Sequence, residues 1–322
     1  MTGISVPTGR ALVTGGTGSL GKAIVARAKC EAWPVEFTIY SRDEVKQGQM
    51  RVKHPECSYK LGDVRDLERL QAAMRGQDIV LHCGAQKVVP DAEVNTDETV
   101  KTNVLGSMNV ATAAIRTGVK QVIGISTDKA CGPVNAYGQS KALMEKLFQQ
   151  ADKAGDTQFN LTRYGNVVGS RGSVVPFFQR QAREGKRLTI TDFRMTRFWL
   201  TLNQAVDLIL LALAEPEGGT IVVPKAPAMR VVDVARIVAP HAELVDIGIR
   251  PGEKVHESLI QSSEAYHTDD CGSFFRVYPA TSQRKGTMLP ETGKEQYTSQ
   301  FPSHWLEAEE MAGMIAESGE EE

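Results

Sequence analysis

An α/β fold built on a doubly wound parallel sheet, with a smaller C-terminal lobe, is predicted for this chain by three observations. Apolar strands alternate with amphipathic helices as far as Val167, the pattern that parallel strands with right-handed crossovers produce. A glycine-rich run, Thr14-Gly15-Gly16-Thr17-Gly18-Ser19-Leu20-Gly21, separates the first strand from the first helix. After Val167 the alternation breaks into short pieces divided by loops.

The elements follow in order. Arg10 to Gly16 reads as a strand, followed by a helix from about Ser19 and a second strand over Val35 to Ser41. Ser58 to Asp63 and Asp78 to Ala85 read as strands, with a helix over Arg65 to Arg75 between them. One long helix, Thr96 to Thr117, leads into the strand Gln121 to Thr127, and a helix after Asn135 leads into Phe159 to Val167. Beyond the Gly169-Ser170-Arg171-Gly172 loop come a short strand at Leu188 to Thr191 and a helix over Thr201 to Glu215. Thr220 to Val223, a helix at Val231 to Val238 and the loop Arg250-Pro251-Gly252-Glu253-Lys254 follow. This divides the chain into a Rossmann-type nucleotide-binding domain, 1–168, and a substrate lobe, 169–306, with room for elements that return to the main sheet. Residues 307–322 read as a solvated acidic tail.

Bulk properties narrow the function classes. With 322 residues and a net charge of -2, nothing biases the chain toward nucleic acid or an anionic membrane surface. No apolar stretch approaches the roughly 20 residues that cross a bilayer, and Met1 to Gly9 lacks the regions of a signal peptide. Five cysteines, an odd number without CxxC pairing, argue against a disulfide framework or a zinc site. A soluble cytoplasmic protein with reduced thiols and no metal is expected. The Asn-Leu-Thr sequon at Asn160 falls in an apparently buried strand.

The glycine loop suits a dinucleotide. Gly15 permits the tight turn, Gly18 lets the backbone approach a pyrophosphate, and Gly21 lets the helix pack on the sheet. Thr17, Ser19 and Leu20 complete the cradle at the helix N-terminus. Which dinucleotide depends on the end of the second strand, Tyr40-Ser41-Arg42-Asp43-Glu44 with Lys46 a turn later. Ser41, Arg42 and Lys46 favour the 2′-phosphate of NADP, whereas Asp43 keeps NAD open. Asp63 and Val64, closing the third strand, are placed at the adenine; the plainer role for Asp63 is a helix N-cap.

Tyr137 and Lys141 lie four residues apart on a helix and share a face. An ammonium beside a phenol favours the phenolate, which takes a proton from a substrate hydroxyl while hydride leaves the same carbon. Just before them, Ser126-Thr127-Asp128-Lys129 closes a strand and supplies an acid and a base on the same turn.

With these residues in place, the chain resembles the extended short-chain dehydrogenases/reductases, and within them the C5-inverting UDP-N-acetylglucosamine 4,6-dehydratases. The resemblance rests on residues 40–44, Lys101-Thr102-Asn103, Ser126 to Ala130 and Asn135 to Lys141. It continues through Arg163 to Pro176, Met195-Thr196-Arg197-Phe198-Trp199 and Arg250 to Lys254. Similar dehydratases acting on dTDP-glucose carry Thr-Asp-Glu or Thr-Glu-Glu where this chain has Thr-Asp-Lys. Sugar 4-epimerases usually have small or hydroxyl residues there.

The resemblance implies a reaction and a set of roles. Oxidation at C4 acidifies the C5 proton; Lys129 removes it, Asp128 protonates the departing C6 hydroxyl, and Thr127 bonds O4. Lys129 must then be neutral for part of the cycle, which requires a depressed pKa. Asn103 is similar to the residue that organises the water network of the catalytic lysine, and Lys87 to the lysine lying over the sugar. Asn166, Arg197 and Arg250 resemble diphosphate contacts, with Arg171 and Val174 also lining the substrate, and Glu253 resembles the acceptor for the uridine ribose. Arg197 equally suits a structural ion pair. The chain has Val88 where the family usually has histidine, and Gly84, Gln86, Cys131 and Gly132 are also unusual. A UDP-sugar substrate and a homo-oligomer are expected. The alternatives are a UDP-sugar epimerase, which needs Tyr137 and Lys141 but not Asp128 and Lys129 as an acid/base pair, and a non-catalytic NADP sensor.

Overall fold

The computed structural model describes residues 6–284, 286 and 296–319. The first half runs β1 (Gly9–Thr14), α1 (Ser19–Cys30), β2 (Val35–Ser41), α2 (Glu44–Lys53), β3 (Ser58–Leu61), α3 (Leu67–Met74) and β4 (Ile79–His82). It continues with α4 (Val89–Val94), α5 (Thr96–Thr99), a π-helical segment Val100–Leu105, α6 (Gly106–Thr117), β5 (Gln121–Thr127), the 3-10 turn Asp128–Ala130, α7 (Ala136–Ala151) and β6 (Gln158–Tyr164). Thereafter come β7 (Asn166–Val167), α8 (Val174–Arg183), β8 (Leu188–Ile190), β9 (Thr196–Leu200), α9 (Leu202–Leu213), β10 (Ile221–Pro224), β11 (Ala228–Arg230) and α10 (Val231–Val238). The chain closes with β12 (Leu244–Asp246), β13 (Ser258–Ile260), α11 (Ser262–Ala265), β14 (Thr268–Asp270), β15 (Phe274–Val277), β16 (Tyr297–Thr298) and α12 (Ala308–Gly319).

Nine strands form the main sheet in the order β14-β15-β10-β6-β5-β4-β1-β2-β3. From β10 to β3 every pairing is parallel, whereas β15 runs antiparallel to β10 and β14 antiparallel to β15. Helices α1 and α9 pack together on one face; α3, α6 and α7 cover the other. The central strands are therefore buried on both sides, which is why Leu12, Val80, Val122 and Phe159 read as continuous apolar runs rather than alternating ones. Asn160, inside β6, is 1% exposed and donates to Ala212 O, so its sequon is closed to solvent.

The chain winds from β1 to β2 and β3, then returns to the other side of β1 for β4. That reversal leaves a crevice at the carboxyl ends of β1 and β4. Outside the main sheet lie the three-stranded sheet of β7, β9 and β11, the β8–β12 and β13–β16 pairs, α8 and α10, with smaller cores around Trp199 and around Phe178 and Leu188, while Phe198, Ile260 and Tyr297 join the main core. Three strands from beyond residue 220 belong to the main sheet.

Two local expectations change. The helix read as one piece over Thr96 to Thr117 is interrupted by the π segment, whose extra residue per turn turns Asn103 into the core. The segment from Glu307, read as a solvated acidic tail, is helix α12 as far as Gly319. Its Met311 is fully buried against Trp199, Met229 and Val234, so an apolar stripe within an acidic composition decides its place. No helix among the described residues is long and apolar enough to cross a membrane.

Candidate active site

Gly15 turns at φ +65°, its N–H donating to Tyr40 O at 2.8 Å. A Cβ there would meet the backbone of Gly84 at 2.7 Å, so a side chain would push the glycine loop off the β4 loop. Gly18 starts α1 with no side-chain cap. No side chain at the N-cap occupies this end of the helix, and the residues present fit a pyrophosphate at the dipole's positive end. Thr17 is buried beside them, and Ser19, Leu20 and Gly21 form the first turn of the helix.

Beneath this cradle lies a buried relay that sequence reasoning missed. Ser107 Oγ donates to Asn103 O at 2.6 Å, so it accepts from His82 Nε2–H at 3.1 Å. His82 Nδ1 must then accept from the Thr14 hydroxyl at 2.8 Å, leaving Thr14 Oγ1 to accept from Gly84 N–H at 3.3 Å. Burial, with the Lys141 charge, pushes the imidazole pKa down to about 3, so His82 stays neutral. Asn103 extends the chain: its amide bonds Gln86 N and O and the Ser140 hydroxyl. It pins the loop before Lys87 to α7, rather than contacting the Lys141 amine directly.

At the adenosine end, Asp43 caps α2 through Lys46 N at 2.9 Å and pairs with Lys46 Nζ at 2.6 Å. Its carboxylate is committed twice over. Ser41 is 7% exposed with its hydroxyl accepting from Gln47, so the expectation that it presents a phosphate ligand gives way to burial. Arg42 remains largely exposed, reaching Asp63 at 3.4 Å. Burial raises the Asp63 carboxyl, but the hydrogen bonds of Arg65 and the charges of Arg42 and Arg65 together hold it below its ordinary pKa. The N-cap of α3 is Asp66, not Asp63, and Val64 is buried against Gly106.

The catalytic candidates converge at the end of β5. Asp128 is fully buried; its Oδ1 accepts from the Thr127 hydroxyl and from Lys129 Nζ, both at 2.9 Å. A Cβ on Gly138 would collide with Lys129 O, so the turn docks on α7 only because that position is glycine. Asn135 caps α7 through Gly138 N at 2.7 Å and donates to Gly252 O at 2.8 Å, tying the 250–254 loop to the same turn. Burial pushes the Tyr137 phenol up; the Lys129 charge and a hydrogen bond with Thr127 pull it down, while Asp128 opposes them.

Two expectations are corrected here. Lys129 was expected with a depressed pKa, yet its ammonium is raised: burial lowers it, and the charges of Asp128 and Glu257 more than reverse this. Lys141, expected beside the phenol, directs Nζ to Met144 Sδ at 2.8 Å, and burial lowers it to about 8. The cation acting on Tyr137 is Lys129.

On the substrate side, Lys87 keeps much of its surface exposed, yet desolvation of its ammonium and the Arg171 charge lower its pKa. Val88, next to it, is 42% exposed and precedes α4. Asn166 lies on β7, and Arg171 is exposed in the following loop. Val174 opens α8, a helix without a side-chain cap, and the buried Ser173 hydroxyl oxygen before it has no hydrogen-bond partner. Arg250 and Glu253 face each other across one turn, Arg250 N–H donating to Glu253 Oε2 at 3.3 Å. Arg197 is not a free diphosphate ligand: buried at 8%, it donates to the carbonyls of Thr196, Val255 and Lys254. The structural alternative is the one adopted.

Behind β5 a charged cluster supports the turn. Arg163 is fully buried and forks onto Glu145 and Glu264, with Ser126 donating to Glu145 at 2.5 Å. A lone arginine in an apolar strand was the available signal, since it must find carboxylates.

A family model described as polysaccharide biosynthesis protein matches residues 11–279. The chain is 48% identical over 275 residues to a UDP-N-acetylglucosamine 4,6-dehydratase (inverting) of Campylobacter jejuni subsp. jejuni serotype O:2, covering 84% of this chain and 82% of the relative. A UDP-glucose 4-epimerase of Rickettsia akari is 44% identical over 278 residues, covering 83% and 82%. The X-ray structure of Pen from Bacillus thuringiensis superposes with a TM-score of 0.89 at 30% identity, covering 97% of this chain and 98% of that one. With its sheet, glycine loop and Tyr137 helix, this chain belongs to that polysaccharide biosynthesis family of extended short-chain dehydrogenases/reductases.

Proposed function

We propose that this protein dehydrates UDP-N-acetylglucosamine to a UDP-4-keto-6-deoxy-N-acetylhexosamine with inversion at C5, as a hydro-lyase of nucleotide-sugar biosynthesis. The observation that carries the reading is the pairing of buried Asp128 with part-exposed Lys129 beside Tyr137. Redox chemistry alone needs the phenol; elimination needs an acid and a base as well. A nicotinamide dinucleotide held at Gly15 to Gly21 supplies the hydride acceptor for C4 and the donor for C6.

The chain's own residues handle protons. Tyr137 accepts the O4 proton, and the Thr127 hydroxyl orients O4. Lys129 Nζ and Asp128 Oδ1 share one proton across 2.9 Å. In the open cleft that proton sits on nitrogen. Once sugar excludes water, the uncharged arrangement gains, because an ion pair loses more solvation than a neutral acid and amine. A single shift of the proton therefore makes Lys129 a base for C5 and Asp128 an acid for O6. Water leaves, and a proton returns to C5. Arg171, the α8 N-terminus and Arg250 present positive character for the diphosphate, and Glu253 an acceptor for the ribose.

Similarity to the epimerase favours a second reading, C4 epimerisation. Incubation with UDP-N-acetylglucosamine and mass spectrometry decides: a product lighter by one water is expected. An isomer of unchanged mass would establish epimerisation, and unchanged substrate would sink both readings.

NADP is the cofactor we infer, supported by the exposed Arg42 and by Asp43 being spent on its cap and on Lys46. The enzyme should bind NADP more tightly than NAD, and Arg42→Ala should erase the preference, as read by fluorescence titration. Equal affinities in the parent protein would show the end of β2 to be misread. A homo-oligomer is supported by exposed apolar side chains around the π segment, α6 and α7, at Val100, Leu105, Met108 and Leu143.

A further inference from the structure

Glu257 is 3% exposed and lies within the charged group at the end of β5. Its Oε1 is 3.8 Å from Lys129 Nζ and 3.9 Å from Arg197 Nε. Oε2 is buried without a hydrogen bond, its nearest cation Lys254 Nζ at 3.5 Å. The backbone is fixed by Glu257 N–H donating to Ser299 Oγ at 2.9 Å, and Ser299 in turn bonds Thr196. A rigid carboxylate is thus aimed at the base from the substrate lobe.

The other two cations have prior commitments. Arg197 is fixed by three backbone carbonyls, and Lys254 donates to Cys131 O at 2.7 Å. Lys129 is the neighbour whose protonation can change. The charged and titratable groups around it are Asp128 on its own turn, Tyr137 on α7, Arg197 on β9, and Glu257 from the segment leading into β13. Of these, Arg197 disfavours the ammonium, whereas Asp128 and Glu257 favour it.

We propose that Glu257 is a positioning residue that holds Lys129 in its charged form in the open cleft, so that a carboxylate of the substrate lobe sets when the base becomes competent. The proposal rests on the reading of Lys129 as the C5 base. Without Glu257, burial and the Arg197 charge would be opposed by Asp128 alone, and Lys129 would shed its proton at lower pH. Glu257 is three residues from Lys254 and four from Glu253, so the loop placed at the UDP and the charge on the base share one segment.

The test is competitive labelling of the substrate-free protein with fluorodinitrobenzene across pH, with peptide mass spectrometry reporting Lys129 separately from other lysines. In Glu257→Gln the Lys129 profile should move to lower pH by about 1 unit, a roughly tenfold rise in labelling at any fixed pH below its plateau. Glu257→Asp, which keeps the charge, should stay near the parent. A site that merely loosened would label faster at every pH without moving the profile. An unmoved profile in Glu257→Gln, or equal shifts in the Gln and Asp variants, overturns the proposal. C5 deuterium exchange in Lys129→Ala tests the base assignment independently: exchange that persists there removes the catalytic reading, while the labelling result still decides whether Glu257 governs the charge.

Discussion

Tyr137→Phe should keep its fold and its dinucleotide and lose dehydration by about 10²–10⁴-fold, the range for removing a positioned acid/base group. The substitution deletes one oxygen. Thr127 retains its bond to Asp128, the glycine loop is untouched, and the ring of residue 137 still fills its place on α7. What is lost is the acceptor for the O4 proton, so the variant should fail at the first step, with no reduced cofactor signal when UDP-sugar is added. Dehydration near the parent rate, measured by product mass, would transfer the role to another group.

The second large effect belongs to Lys129→Ala. It should bind UDP-sugar and slowly reduce bound cofactor, yet release almost no dehydrated product and place no solvent deuterium at C5. The loss is again on the order of 10²–10⁴-fold. Because the change leaves Asp128 buried without its cation, Lys129→Gln is the companion variant, and a thermal melt of each separates lost chemistry from lost structure. Dehydration and exchange at near the parent rate in both variants would shift suspicion to Tyr137 as the base for both steps. The raised ammonium of Lys129 makes the contrast sharper: if it is the base we propose, it is charged at rest and the cleft must change its protonation before it acts.

Where local pattern decides structure, the sequence was legible. β2, β5 and α10 have the bounds that apolar periodicity and turn residues indicated, and the glycine loop lies where its strand-to-helix context placed it. What stayed hidden depends on contacts between distant segments. Nothing local marks Asn103 as lying on a π turn, because the extra residue is absorbed by its bonds to Gln86 and Ser140. For Arg197 the sequence left a diphosphate contact and a structural ion pair level, because two of its three carbonyl partners are backbone atoms 57 and 58 residues away, which no side-chain pattern reveals. Lys141 and Lys129 exchanged influence over Tyr137 for a similar reason. Helix spacing placed Lys141 on the right face, but only the packed core shows its amine turning to Met144. Glu257 was invisible because a glutamate before a strand has no signature until Lys129 is seen beside it.

The order in which the main sheet is completed bears on how the protein is made. β6 is in place by residue 164, yet the strand that covers its open side, β10, begins at Ile221, and β15 and β14 arrive later still. On the ribosome, β6 therefore spends the synthesis of some 57 residues as a bare edge, with Phe159 and Leu161 in a strand whose backbone groups lack a neighbour on one side. Such edges invite pairing with other nascent chains. Helix α9, which is made just before β10, packs on β5, β6 and β10 together and so joins the face of that strand to its late neighbour. Because β7 to β9 are inserted between two adjacent strands of one sheet, the main sheet closes only after that insertion has been made, and neither is finished as a separate event.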